Sequence, residues 1–250
     1  MSLRACSGAY YASKTSADSR FDGQADSGRR VVHAFTGWTE RSSSLFGHGC
    51  GQHHLLPRDI WVDAVDDRLR IAPIPERALL RAGGGLGAAP HRLVANGPAV
   101  ALGSVCEIAV RCTRTGSGAD INTGWVGVDV GLDVAVGQWT RVGYDLATRQ
   151  LFVNQSRTDI LMPPNFTATF QATDDMRKIS GSVLSDFNIT VLADGALLES
   201  FINDYAVISS QLSPSTSGLA PALRSVRLLL AGGAERGGVS CEADGWKLHL

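Results

Sequence analysis

The sequence has almost no excess of charge of either sign. Its 23 lysines and arginines are offset by 24 aspartates and glutamates, which gives a formal net charge of -1 at pH 7. Proteins that bind nucleic acid or an anionic membrane surface rely on a basic patch or stripe, and this balance gives no electrostatic reason for one. We therefore predict no nucleic-acid partner and no membrane partner.

Long apolar runs are also missing. No run approaches the ~18 residues that a transmembrane helix requires. Residues 1–12 contain one arginine but no sustained apolar region and no small-residue cleavage site, so no signal peptide is expected there. The compartment in which the protein works is not indicated by these residues.

Cysteine is scarce, and the five cysteines leave at least one unpaired. Cys106 and Cys112 fall six residues apart on one predicted strand, which separates them by roughly 20 Å at ~3.3 Å per residue, so they cannot bond to each other. No Cys-x-x-Cys pair occurs. The composition closest to that of a metal site lies in one glycine-containing loop, at His48, Cys50, His53 and His54. An ordinary polar loop is the better interpretation, and we predict no metal site and no cofactor.

Patterns of helical period are rare, whereas 28 glycines suit the turns and bulges of strand proteins. After residue 90 the apolar residues recur at every second position, which predicts strands with one buried face. Many short strands separated by turn signals favour a two-sheet sandwich. Its predicted core includes Val126, Val128, Val130, Leu132, Phe187, Ile189 and Val191. Further strands are predicted at residues 140–144, 151–154, 197–202, 206–210, 226–230 and 246–250.

The first 80 residues are organised differently. Two short strands flank a polar loop, a second polar loop follows, and Pro73 and Pro75 end the next strand. One helical turn is predicted at residues 77–81, before the glycines of residues 83–87. We therefore divide the chain into an amino-terminal part (1–82), a glycine-rich linker (83–89) and a carboxyl-terminal sandwich (90–250).

Four segments resemble glycoside hydrolase family 32, the invertases and fructan hydrolases, and they occur in the family's order at compatible spacing. The first two are Tyr11–Thr15 with Arg29–Val31 and Gly37–Trp38, and Leu56–Ile60 with Pro73–Glu76. The other two are Tyr144–Asp145 with Leu151–Arg157, and Leu197–Asp204 with Ala206–Ser210, which reads as two short strands turning on a polar tip. The sequence departs from the family pattern at Ser200, at Asn154-Gln155 and at Phe35-Thr36.

The resemblance implies a five-bladed β-propeller with the active site in its central funnel, followed by a β-sandwich packed beside it. Residues 1–82 would be the last blade and the segment that closes the propeller. The predicted fold class is therefore all-β, with a carboxyl-terminal antiparallel two-sheet β-sandwich preceded by the remnant of a five-bladed propeller.

The catalytic segments of the family are not found in this sequence. Retaining glycosidases need two carboxyl groups ~5 to 5.5 Å apart. The family supplies them from Trp-x-Asn-Asp-Pro-Asn-Gly and Glu-Cys segments, with a third carboxylate in Arg-Asp-Pro, and none of these occurs here. Cys241-Glu242 has the reverse order and is read as an exposed pair on a strand. We predict no catalytic residue within the chain.

Tyr11 and Trp38 are the candidate substrate-binding residues, because sugar rings stack their apolar faces on aromatic side chains. On neighbouring strands of the last blade they could line the funnel; the alternative is that they pack between blades. Three glycosylation sequons begin at Asn154, Asn165 and Asn188. They suit the extracellular and vacuolar members of the family.

Three functional interpretations remain open at this stage. The leading one is a partial family 32 protein that resembles β-fructofuranosidase, would act on sucrose or fructan if the missing blades were supplied, and is inactive alone. The second is a free-standing β-sandwich that binds carbohydrate or a partner protein, and the third is a small enzyme of different chemistry. A partial propeller should leave an exposed apolar face on residues 1–80, whereas a free-standing module should not.

Overall fold

The structure, a computed structural model, describes residues 6–8, 10–17, 29–36, 54–65, 67–81, 89–115, 123–157, 167–171, 186–195, 197–211 and 224–249. These residues form strands and only short helical turns. The strands, in chain order, are β1 Cys6–Gly8, β2 Tyr10–Ala17, β3 Arg30–Thr36, β4 Arg58–Asp63, β5 Arg68–Pro73, β6 His91–Leu93, β7 Val100–Ala101, β8 Val105–Arg114, β9 Trp125–Asp133, β10 Gln138–Asp145, β11 Gln150–Arg157, β12 Thr167–Gln171, β13 Asp186–Asp194, β14 Leu197–Ile202, β15 Ala206–Gln211, β16 Ser225–Ala231 and β17 Val239–Lys247. The predicted linker falls outside the described residues except for position 89.

Two of the three sheets form a β-sandwich. One has seven strands in the order β1-β15-β14-β13-β8-β17-β6, and the other has six in the order β12-β11-β10-β9-β16-β7. Their facing side chains form one large apolar core. Six of the seven predicted core residues belong to this core, and all seven, Leu132 included, are at most 4% exposed. The predicted two-sheet sandwich is confirmed, because side chains at every second position of a strand point to the same face.

The hairpin of β14 and β15 confirms the two strands and the polar tip read from the sequence. Ile202 pairs with Ala206, and the loop between them begins with Asn203 and Asp204 at φ 48° and 57°. Both angles lie in the left-handed region, which Asn and Asp tolerate better than other side chains with a Cβ.

The period-two pattern of apolar residues gives a wrong prediction at the end of β9, because it continues beyond the strand. Val134 and Val136 continue the period-two pattern, but they lie in the turn at residues 134–137 and are 71% and 48% exposed. Gly137, at φ 66°, ends this turn, and the strands then pair with a register shift. The last strand also begins earlier than predicted: β17 spans Val239–Lys247 and not residues 246–250.

Cys112 and Cys241 form a disulfide between β8 and β17, where the two residues lie directly opposite each other. Cys106 remains a buried free thiol. The structure therefore agrees that Cys106 and Cys112 are not bonded. The sequence did not identify the actual pair, because residues 129 positions apart become neighbours only when the order of strands in the sheet is known.

The third sheet consists of β2-β3-β4-β5, all antiparallel. A 3-10 helix at Pro75–Leu80 follows it, and the ring of Pro75 suits the first turn because that position needs no N–H donor. The short strand β1, just before β2, pairs in parallel with β15 at the edge of the seven-stranded sheet. Within the described residues, no helix has the length and hydropathy that crossing a membrane would require.

Candidate functional site

Of the two predicted sugar-binding residues, only Tyr11 belongs to the described part of the chain, where it lies in β2 of the four-stranded sheet. The backbone of Tyr11 pairs with Phe35 across β2 and β3. The side chain of Tyr11 and the whole of Trp38 lie outside the described residues. Their shared role in stacking on a sugar therefore stays a prediction.

The sheet face on which strand alternation places Phe35 and Trp61 carries exposed aromatic surface. These two side chains are 44% and 41% exposed. The Phe35 ring contacts the His54 ring edge-on at 5.1 Å between centroids, and His33 lies 5.9 Å from the same imidazole. This is the kind of exposed apolar face on residues 1–80 that a partial propeller should retain.

The opposite face of the four-stranded sheet packs on the seven-stranded sheet. Ile71 of β5, with Leu56 beside it, enters a small core with Leu192, Phe201 and Val207 of the sandwich. A second cluster joins Ala34 and Leu55 to Leu197. Strand β14 is consequently buried on both faces along its whole length.

A fully buried ion pair crosses this interface. The Arg58 Nη2 donates to Glu199 Oε1 and, at 2.7 Å, to Ser209 Oγ; the arginine and glutamate side chains are 1% and 0% exposed. The backbone N–H of Leu56 donates to the other glutamate oxygen at 2.8 Å. The guanidinium also lies 5.5 Å from the centre of the Phe201 ring. Glu199, the charged one of two polar residues in β14, was the sequence signal for this contact, but its partner 141 positions away was not identifiable.

A second buried carboxylate fixes the 3-10 helix to the sandwich. Glu107 of β8 is 0% exposed and accepts hydrogen bonds from Arg77 Nε at 3.1 Å and from Arg81 Nε and Nη2 at 3.0 and 2.9 Å. The Arg81 guanidinium lies 3.8 Å from the centre of the Trp246 ring. Glu107 belongs to the polar half of the β8 alternation, so the expectation of one buried face fails at this position, whereas Arg111 and Thr113 on the same face are exposed as expected. At Glu107 the segment after β5 covers the strand.

Three carboxylates in the described part of the chain are completely buried, and each of them accepts hydrogen bonds from arginine. Besides Glu107 and Glu199, Asp129 accepts from Arg141 and Arg227 at 2.7 to 3.1 Å. Their oxygens already accept hydrogen bonds from the protein, which suits fixed structural anchors and not a proton-transferring pair facing a sugar. Glu242 of the reversed Cys-Glu pair is 64% exposed and pairs with Arg92, as an exposed strand residue should.

The remaining predicted positions are accounted for in part. Of the four residues whose composition is closest to that of a metal site (His48, Cys50, His53 and His54), only His54 is described, and its Nδ1 donates to the Leu55 carbonyl at 2.8 Å. Among the residues with described positions, no group of three metal-ligating side chains is found. Asn188 is exposed, whereas Asn154 is half-buried and its Oδ1 accepts from the Ser156 N–H at 2.9 Å. Asn165 lies outside the described residues.

The described residues thus form an all-β protein in which an antiparallel four-stranded sheet packs on the outside of one layer of a β-sandwich. The sequence profile for the carboxyl-terminal domain of glycosyl hydrolases family 32 matches residues 94–242, which is more than half of the chain. The chain therefore belongs to glycoside hydrolase family 32.

Known relatives agree with this assignment. A β-fructofuranosidase from Oryza sativa, insoluble isoenzyme 4, is 38% identical over 79 residues, which cover 32% of this chain and 12% of the rice protein. Fructan 1-exohydrolase IIa from Cichorium intybus superposes with a TM-score of 0.69 at 15% identity, covering 98% of this chain and 49% of that one. The β-fructofuranosidase of Aspergillus kawachii gives 0.65 at 13% identity, covering 96% and 46%. The two structural matches establish the fold alone, and this chain spans less than half of either solved protein.

Proposed function

We propose that this chain is the last blade and sandwich of a β-fructofuranosidase-like enzyme, which hydrolyses O-glycosyl bonds in sucrose or fructans only when the other blades are supplied. Residues 1–250 contain none of the three catalytic segments of the family, so by themselves they would not hydrolyse these sugars. The sandwich would hold the last blade, which forms one side of the funnel, in place.

The four-stranded sheet carries this proposal. One face is anchored to the sandwich by the Arg58–Glu199 pair and two apolar clusters, and the other leaves Phe35 and Trp61 more than 40% exposed. A sheet anchored on one side and aromatic on the other is suited to a neighbouring blade. A free-standing carbohydrate- or protein-binding sandwich gains nothing from this half-covered sheet, which makes that alternative the weaker one.

Tyr11 and Trp38 would bind substrate from this blade. Their rings would stack on the apolar face of a fructosyl or glucosyl unit at the rim of the funnel. Such stacking stabilises substrate and transition state alike, so it would support binding without lowering the chemical barrier.

The disulfide indicates the kind of compartment in which the complete protein would fold. Disulfides between strands persist in the secretory pathway and outside the cell, whereas reducing compartments keep thiols free. The Cys112–Cys241 bond and the exposed sequon at Asn188 both suit folding in an oxidising compartment. This agrees with the extracellular or vacuolar location of many family members.

The test is fructose release by the purified chain and by a chimera. Residues 1–250 alone should release no fructose from sucrose, inulin or levan above background. The same chain should release fructose when it is fused behind the propeller blades of the rice β-fructofuranosidase that it lacks. In this chimera, Trp38→Ala should raise the KM more than it lowers kcat. As a control, the chimera with the supplied nucleophilic Asp changed to Asn should be inactive. Fructose release by residues 1–250 alone, lost on substitution of a single Asp or Glu within them, would overturn the proposal.

A further inference from the structure

The outer face of the six-stranded sheet carries an ordered row of charged side chains. Strand pairing aligns Arg227 of β16, Asp129 of β9 and Arg141 of β10 side by side. They alternate with Val128 and Val130, which point into the sandwich core, so the row faces away from it. This face lies on the other side of the sandwich from the four-stranded sheet.

Beside this row, two glycines leave the backbone of the sheet uncovered by side chains of their own. Gly127 and Gly143 pair directly across β9 and β10. A Cβ at Gly143 would lie 2.5 Å from Phe152 Cζ, and one at Gly127 would lie 3.2 Å from Trp125 Cζ3. The two rings therefore lie over the glycine backbone, a position that any larger residue would block.

The aromatic rings and one guanidinium form a continuous surface. The Trp125 and Phe152 rings meet edge to face with centroids 6.3 Å apart. The Arg141 guanidinium lies 4.7 Å from the Trp125 ring and 4.4 Å from the Trp139 ring. Asp129 fixes this guanidinium with bonds of 2.7 and 3.1 Å. We call Trp125, Trp139, Phe152 and Arg141 the aromatic platform; all four are partly exposed.

We propose that the aromatic platform binds a neutral oligosaccharide. A sugar ring presents an apolar C–H face, which stacks on flat aromatic surface, and a rim of hydroxyls, which needs hydrogen-bond partners at the edges. Arg141 and Arg227 supply donors, and Arg157, which pairs with Trp139, adds a third positive charge to this face. Asp129 and Asp145, which pairs with Trp125, offset two of the three positive charges. The small remaining charge gives an anionic ligand little electrostatic advantage over an uncharged one. This site lies on a different sheet from Tyr11 and does not depend on the proposed hydrolase activity.

The first test uses the unaltered chain. Its five tryptophans each give one indole N–H signal in a 15N NMR spectrum, assigned with single Trp→Phe variants. We would titrate nystose, an inulin fraction of about ten units, cellohexaose and xylohexaose separately. At least one should shift the Trp125 and Trp139 signals saturably at millimolar concentration, while the buried Trp246 and the distant Trp61 stay unmoved. A shift confined to Trp38 would support the funnel site and overturn this one.

The second test uses matched variants. Phe152→Ala should weaken binding of that oligosaccharide at least about tenfold, and Gly143→Ala should do so by displacing the Phe152 ring. Trp61→Ala, which removes an exposed aromatic ring on the other side of the molecule, should leave binding unchanged. If Phe152→Ala fails to fold, the titration of the unaltered chain still decides. The proposal fails if no neutral oligosaccharide shifts Trp125 or Trp139, or if only polygalacturonate does.

Discussion

At the scale of single residues, the Arg58–Glu199 pair is the most consequential contact between the four-stranded sheet and the sandwich. Both side chains are removed from water, so each depends on the other and on its neighbours for compensation. Removal of one partner of a buried pair costs about 3 to 5 kcal/mol, because the remaining charge is left uncompensated. The contact is therefore a sensitive probe of the interface.

We expect Glu199→Gln to lower the free energy of unfolding by about 3 kcal/mol in urea denaturation, because Arg58 would keep its buried charge without a counterion. Glu242→Gln, which changes an exposed pair with Arg92, should cost less than about 1 kcal/mol. Glu199→Leu combined with Arg58→Met should recover much of the loss. Equal small effects of Glu199→Gln and Glu242→Gln would contradict this account.

Two buried acids should make the protein sensitive to alkali. Burial raises the pKa of the Cys106 thiol from 9.0 to about 12, and burial raises that of Tyr144 from 10.0 to about 12, with Arg114 opposing the shift. In both groups the folded state holds its proton longer than the unfolded state. Their contribution to stability is therefore complete below pH ~9 and is lost as the pH rises towards 12.

The measurement is urea unfolding at closely spaced pH values between 8 and 11. The free energy of unfolding should begin to fall above pH ~9, by up to about 1.4 kcal/mol per pH unit for each group. Cys106→Ala should reduce this slope between pH 9 and 10, where Tyr144 contributes little. A slope that Cys106→Ala leaves unchanged would show that the thiol is not responsible.

At the scale of elements, the sandwich depends on pairings between strands that are far apart in the chain. Strand β8 lies between β13 and β17, so its two neighbours come from the second half of the sequence. The Cys112–Cys241 bond closes one of these pairings covalently. Cross-linking residues so far apart restricts the unfolded chain strongly.

We predict that the double change Cys112→Ala with Cys241→Ala lowers the free energy of unfolding by about 2 to 5 kcal/mol, measured by urea denaturation at pH 7. Cys106→Ala is the matched control, since it removes a buried sulfur without removing a cross-link. It should cost less than the double change and leave sensitivity to reducing agents intact. If the intact chain unfolds identically with and without a reductant that cleaves the bond, the disulfide contributes nothing to stability.

At the scale of the whole molecule, the two parts of the chain differ in how much apolar core holds their sheets. The sandwich buries one large core between its two layers, whereas the four-stranded sheet shares only two small apolar clusters with the sandwich. Residues 13–17 of its outer strand β2 are all exposed. A sheet held by small clusters has fewer buried contacts to lose on opening.

We therefore expect the amide hydrogens of residues 10–17 and 29–36 to exchange faster than those of residues 125–157. Hydrogen exchange measured by mass spectrometry on the intact chain checks this. In the rice chimera the exposed face would be covered by a neighbouring blade, so protection of residues 29–36 should rise while that of residues 125–157 stays constant. Equal or greater protection of the amino-terminal sheet in the chain alone would indicate a self-contained unit.

The sequence by itself determined what depends on local order along the chain. Period-two spacing identified the core-facing side of β9 and β13, Asn203 and Asp204 marked a tight turn, and Pro73 marked the end of β5. These features follow from side-chain direction and backbone preference, which act between near neighbours. The family resemblance added a predicted order of the domains.

The tertiary structure decided which distant residues meet. The partners of Glu199 and Glu107, the pairing of Cys112 with Cys241 and the aromatic platform all depend on strand order and register, which local periodicity does not encode. For the same reason the alternation failed at Val134, where a turn interrupts the pattern, and at Glu107, where a packed segment buries a polar side chain. Whether a polar residue on a strand faces water or a buried arginine depends on what covers that face, and only the folded chain provides the cover.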